Sequence, residues 1–272
     1  MEISVDAEAI PSVEATGGAV AVAVVGWTAG LLVVRRAVAA GRLGGAGLAG
    51  KRAWDLAFDH LNHIHACLTT GLAVAIMAID ARILAMAPIV DTWSRPLHWT
   101  TCGTVGYLVV DVIMQPLIMR AETANWDYFA FHASILVGFA SCLATHRGGV
   151  VVAWGLFSEI DSVVKGWQLQ LHHHLRTSRP EQRIRWAPWH KRLALFQVIL
   201  FFFSRVFFTL LSSDPLLALQ ALLVVSGLVT NSTWFWSDVD ELHRVHHIST
   251  TKIWAIIAAA GIPLAVVVHL LR

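Results

Sequence analysis

Charge is scarce in this sequence. Only 14% of its 272 residues are Asp, Glu, Lys or Arg, against about 25% in ordinary soluble domains. So few charges cannot cover a water-facing surface, which excludes a typical soluble globular protein. Cysteine is scarce too. Cys67, Cys102 and Cys142 form an odd set with no pairing pattern. That excludes a disulfide scaffold, and all three read as small core residues in apolar runs. Basic residues interleaved with aromatics form no block and the net charge is only +2, so nucleic acid is not an expected partner. No repeat of fixed period is present. The N-terminal stretch "MEISVDAEAIPSVEATGG" lacks the positive region of a cleaved signal peptide, and the first apolar run reads as a retained anchor.

Apolar residues are abundant, at 56% with a mean hydropathy of +0.62. A bilayer core needs roughly 20 apolar residues per helix. Eight stretches qualify: 17–34, 62–86, 97–119, 126–145, 149–166, 193–213, 215–236 and 253–271. The fold class expected is therefore all-α, a polytopic transmembrane bundle of about eight spanning helices. The chain divides into a tail, first span and Gly-rich linker (1–54), a helix bundle (55–244) and a C-terminal span (245–272). Fifteen of the 20 Lys and Arg residues fall in the connections after the first, third, fifth and seventh stretches, and four fall on the opposite side. Positive loops stay cytoplasmic, so the N-terminus is expected in the lumen or exterior. The connection "QLQLHHHLRTSRPEQRIRWAPWHKR" is basic and Trp-bearing, and is expected to lie along the anionic lipid surface. Many of the twelve tryptophans fall near predicted helix ends, as in aromatic belts.

The fifth stretch carries charges where lipid is expected, in "WGLFSEIDSVVKGW". Asp161 and Lys165 are four apart and can pair on one helix face near the interface. Glu159 shares its face with Gly155, Ser162 and Gly166, small residues that let helices approach closely. It is expected to point into a helix seam. Counted from the helix ends at about 1.5 Å per residue, His65, Asp111, His132, Glu159 and Asn231 all fall roughly 5–14 Å deep in the cytoplasmic half. Ionisable groups inside a membrane are costly, so they face the bundle interior and pair. These five form the candidate polar, lipid-binding layer. Arg205, deep in "FFFSRVFF", either snorkels or joins the layer through Asp111 or Glu159. The plain alternative is that the cluster only ties the bundle together.

In order along the chain, "NHIHACLTTGLAV", "GYLVVDVIMQPL", "FAFHASILVGF", "GLFSEIDSVVKGW", "LFQVILFFFSRVFF" and "NSTWFWSDVDELHR" resemble the successive helices of the TLC-domain family. That family holds ceramide synthases, translocating-chain-associated proteins and smaller TLC-domain proteins. The likeness spans about residues 55–244 and places family positions on His65, Asp111, His132, Glu159 and Arg205. Ceramide synthases carry adjacent histidines where this chain has His132 and Ala133. They carry a His-Asp pair and a further Ser-Asp where it has Ser158, Glu159, Ile160, Asp161 and Ser162. "FSEIDS" is similar to the Ser-Glu pattern of the non-synthase members. The resemblance therefore implies a lipid-handling protein of an internal membrane, endoplasmic reticulum first, that senses, binds or regulates lipids. Ceramide-synthase-like N-acyl transfer is the first alternative, with acyl-CoA as co-substrate. That chemistry needs a base for the amine proton and stabilisation of the oxyanion.

A second alternative comes from "HRVHH", with His243, His246 and His247. Its spacing is similar to a histidine box of di-iron hydroxylases and desaturases, and imidazoles three and four apart on a helix can share a metal. The long downstream His pair of such boxes is missing, since only His269 follows. No metal or resident cofactor is expected. The expected partners are membrane lipids.

Overall fold

A computed structural model describes residues 11–43, 50–80, 83, 93–118, 126–177, 180–207 and 235–259. Every element among them is helical. α1 is Val13–Ala39, α2 Lys51–Ile79, α3 Arg95–Ile118, α4 Trp126–Thr145, α5 Gly149–Phe157, α6 Ile160–Thr177 and α7 Pro180–Phe201, which runs on as a π-helical segment, Phe202–Phe207. α8 covers residues 235–246 and α9 Thr250–Ala259. Three helices are long and apolar enough to cross a membrane: Val13–Ala39, Arg52–Ile79 and Tyr128–Thr145. The chain is thus an all-α membrane protein. All but the last two residues of the predicted span 215–236, and most of 253–271, fall outside the described residues.

α1 starts where the Ser12 Oγ accepts the Ala15 N–H at 3.2 Å and Glu14 sits in the first turn, the arrangement that satisfies and complements a helix N-terminus. It runs through Arg35 and Arg36 to Ala39, so the Gly-rich linker begins later than its composition indicates. Leu31, Val34 and Val38 share one buried core with Ala57 and Leu61 of α2 and Tyr107 and Leu108 of α3. α1 therefore packs as a member of the bundle. A second core joins Ala194 and Val198 of α7, Phe235 and Leu242 of α8, and Ile253 and Ile257 of α9.

Two expectations change in the fifth stretch. Residues 149–166 are not one helix, because the chain breaks at Ser158–Glu159. The Ser158 Oγ donates to the Gly155 carbonyl at 2.6 Å, and the Glu159 N–H goes to the Leu156 carbonyl at 3.3 Å. The hydroxyl occupies the acceptor that an uninterrupted α-helix would offer to Glu159, and such local bonds bend or end helices. At nine residues, α5 rises only about 14 Å and cannot span a bilayer core alone. The basic segment after it is helical. Most of it lies in α6 and α7, where Arg185 and Arg192 lie 5.9 and 5.3 Å from the Trp186 and Trp189 rings.

Candidate functional site

The polar residues of α2, α3 and α4 meet inside the bundle. Tyr107 and Asp111 are four apart on α3, Tyr128 and His132 four apart on α4, and Asn62 and His65 three apart on α2, so each pair shares a helix face. The His132 Nδ1 lies 2.5 Å from the Asp111 Oδ2, with side-chain exposures of 12% and 3%. The Tyr128 ring packs on His132 at 3.9 Å. The His65 ring stacks on Tyr107 at 3.7 Å and 11°, and Trp27 of α1 meets it edge-on at 5.5 Å. The Tyr107 hydroxyl donates to the Asn62 Oδ1 at 3.1 Å. The Trp27 indole donates to the Gly103 carbonyl at 3.0 Å, which fixes α1 over this site. Glu159, His132 and Asp111 are the ionisable groups close enough to act on His65.

His65 is 3% exposed, and neither ring nitrogen has a hydrogen-bond partner among the described residues. A buried polar group left unsatisfied costs about 1–3 kcal/mol. The site thus holds a carboxylate–imidazole pair beside an imidazole with a donor and an acceptor to offer. It can hydrogen-bond a polar head, and His132 can accept a proton at the nitrogen that Asp111 does not engage.

Of the sequence candidates, His65, Asp111, His132 and Glu159 are brought together. Asn231 lies outside the described residues. Arg205 falls in the π-helical segment, and its side chain is outside what the structure describes. Sequence reading missed Trp27, Asn62, Tyr107 and Tyr128. The i, i+4 offset of each tyrosine from a chosen residue is the signal that could have found those two.

The expected pairing of Asp161 with Lys165 is overturned. Asp161 is 3% exposed, while the Lys165 ammonium turns to Asp238 of α8 at 3.9 Å. With the chain broken at Ser158–Glu159, α6 begins afresh and carries Asp161 inward in its first turn. Gly155 and Gly166 do face neighbouring helices: a Cβ at Gly155 would meet the Phe139 ring of α4, and one at Gly166 would overlap the His63 ring of α2. Cys102 and Cys142 are buried as expected, but Cys67 is exposed, its Sγ 3.9 Å from the His63 Nε2 one turn earlier on α2.

A second polar cluster, not singled out from sequence, lies some 13 residues earlier on α3, about 20 Å away along the helix. His98 is fully buried. Its Nδ1 accepts from the Trp93 indole at 3.3 Å, so in the neutral ring the proton sits on Nε2, 3.1 Å from the Thr16 hydroxyl. Thr16 in turn donates to the Ser12 carbonyl at 2.9 Å. The His146 ring stacks on His98 at 5.4 Å.

At the opposite end, the "HRVHH" histidines take separate neighbours. His243 bonds the Ile248 carbonyl through Nδ1 at 3.2 Å, the His246 ring packs 5.3 Å from His190, and His247 follows the helix end with φ 51°. Among the described residues no three His, Cys or carboxylate side chains lie where they could share a metal ion. Neither a family model, nor a characterised protein, nor a solved structure matches the chain.

Proposed function

We propose that this chain binds the polar head of a membrane lipid in the buried layer of His65, Asp111, His132 and Glu159, and thereby senses or regulates membrane lipid composition. One observation carries the reading: His65 is buried inside an apolar bundle with both ring nitrogens unbonded among the described residues, next to the Asp111–His132 pair. A purely structural histidine at such a depth would be expected to have a partner. The resemblance to non-synthase TLC-domain proteins points the same way. So does the break at Glu159, since non-helical backbone at membrane depth belongs where it lines protein or a polar cavity. The arrangement goes with a multi-pass chain whose N-terminus is luminal, in the endoplasmic reticulum or another internal membrane.

The substitution His65→Phe tests this. Phenylalanine keeps the stack on Tyr107 and removes both nitrogens, so the variant should fold and lose the effect on cellular lipids. A folded variant with an unchanged lipid profile would reject the reading.

The Asp111–His132 geometry favours one second reading, acyl transfer. A carboxylate on Nδ1 orients an imidazole so that Nε2 can act as base. The base would take a proton from a lipid amine as the nitrogen attacks a thioester carbonyl, and the C–S bond would break to release the thiol. N-acylation of a sphingoid base by purified protein supplied with acyl-CoA, lost in His132→Ala, would decide for it.

A further inference from the structure

A separate groove of about 90 Å³ opens between α6, α7 and α8. One wall carries Lys165, and the other carries Asp238 and Glu241, one turn apart on α8. Asp238 is held in place: the buried Gln197 donates to its Oδ2 at 3.2 Å, and Lys165 stands 3.9 Å from its Oδ1. The floor is apolar, with Ala194, Val198 and Leu242 buried beneath. Trp167 and Trp236, each two residues from a charged member of the groove, are 53% and 52% exposed. Trp236 stands at the start of α8, and exposed tryptophans at helix ends mark headgroup depth.

The groove's chemistry narrows its occupant. Burial, followed by the nearby Lys191, holds the His246 imidazole below its usual range, so near neutrality it adds no charge. Among the lining residues two carboxylates then face one ammonium, with Lys191 beside them donating to the His246 carbonyl at 2.6 Å. An anionic headgroup is disfavoured. A zwitterion can place its phosphate on Lys165 and its ammonium on the carboxylates. Quaternary ammonium groups are recognised by aromatic faces, and among the described residues no aromatic ring other than His246 lines this groove. A primary ammonium, with three N–H donors, suits Glu241, Asp238 and the amide oxygen of Gln168.

We propose that this groove is a binding site for the phosphoethanolamine headgroup of a phospholipid, with the acyl chains lying outward over the helices. It uses residues distinct from the buried layer and stands whether or not that layer binds a lipid.

The test is lipid retention by the purified full chain, measured by native mass spectrometry after delipidation and exposure to equal amounts of phosphatidylethanolamine, phosphatidylcholine and phosphatidylglycerol. Phosphatidylethanolamine should be retained most, by about fivefold over phosphatidylcholine, as expected for one charge-assisted contact near the surface. Phosphatidylglycerol should be retained least. Glu241→Gln, on an exposed side chain that folding does not need, should equalise the two zwitterionic lipids. Lys165→Met should weaken both together. His132→Ala should leave the preference intact, which separates this site from the buried layer. Preferential retention of phosphatidylglycerol, or an ethanolamine preference that survives Glu241→Gln, would overturn the proposal. Retention of free phosphoethanolamine as tight as that of phosphatidylethanolamine would overturn its assignment to a lipid.

Discussion

Gly106 of α3 and Ala23 of α1 stand where two helix backbones nearly touch. A Cβ built at Gly106 would collide with the Ala23 Cβ and lie 3.0 Å from the Ala23 carbonyl carbon and the Val24 nitrogen. Those atoms are backbone and cannot swing aside. Gly103, one turn earlier, has nothing within 4 Å of the same position. Gly106→Ala should therefore push α1 off α3 at a cost of about 1–3 kcal/mol. Gly103→Ala should be neutral, or stabilising by up to about 1 kcal/mol through helix propensity. Thermal unfolding in detergent of the two variants checks the contrast, and equal effects would deny that α1 packs here.

Asp161 gives a second test of the packing. Asp161 is 3% exposed, so Asp161→Ala should strip buried groups of a partner and cost about 1–3 kcal/mol. It should lower folded yield. The size-exclusion profile of Asp161→Ala will show this. A monodisperse, wild-type-like Asp161→Ala would place that carboxylate outside the core.

The Asp111–His132 pair should be worth more intact than halved. Removing one partner of a buried pair typically costs about 3–5 kcal/mol. Replacing both by apolar residues of similar size should cost less than either single truncation. A double-mutant cycle on unfolding measures the coupling, and simple additivity would show that the two do not interact.

His190 gives a pH dependence outside the spanning segments. Burial first, then the neighbouring His246 and His172, holds its imidazole below the usual range. The unfolded chain then takes up the proton before the folded one does, so stability is full above about pH 6.5 and declines as pH falls toward the folded pKa. His190→Phe should flatten that decline. Melting temperatures of both proteins between pH 7.5 and 5.5 test it, and parallel curves would remove His190 from the account.

Orientation can be tested at Ile184 of α7, which is 76% exposed. In a background without native cysteines, a cysteine at position 184 should react with an impermeant maleimide only from the cytoplasmic side. Labelling from the lumen would reverse the topology read from the basic residues.

The sequence by itself determined that this is an all-α membrane protein, since scarce charge and long apolar runs leave the chain no other solvent. Depth counted along helices also put His65, Asp111, His132, Glu159 and Asn231 at one level, and the structure brings the first four near one another while Asn231 lies outside the described residues. Counting residues cannot show how a helix ends or which way it faces. The break at Ser158–Glu159 turns on one serine hydroxyl taking the Gly155 carbonyl. That choice depends on what packs around it, and it carried Asp161 inward against its helical period. The partner of Lys165 was likewise settled across space, by α8 presenting Asp238 more than 70 residues later. His65 gained its stack on Tyr107, and α1 its seat on Gly106, only when three helices met. Pairing between helices is fixed by where their backbones can approach, and only the tertiary structure decides that.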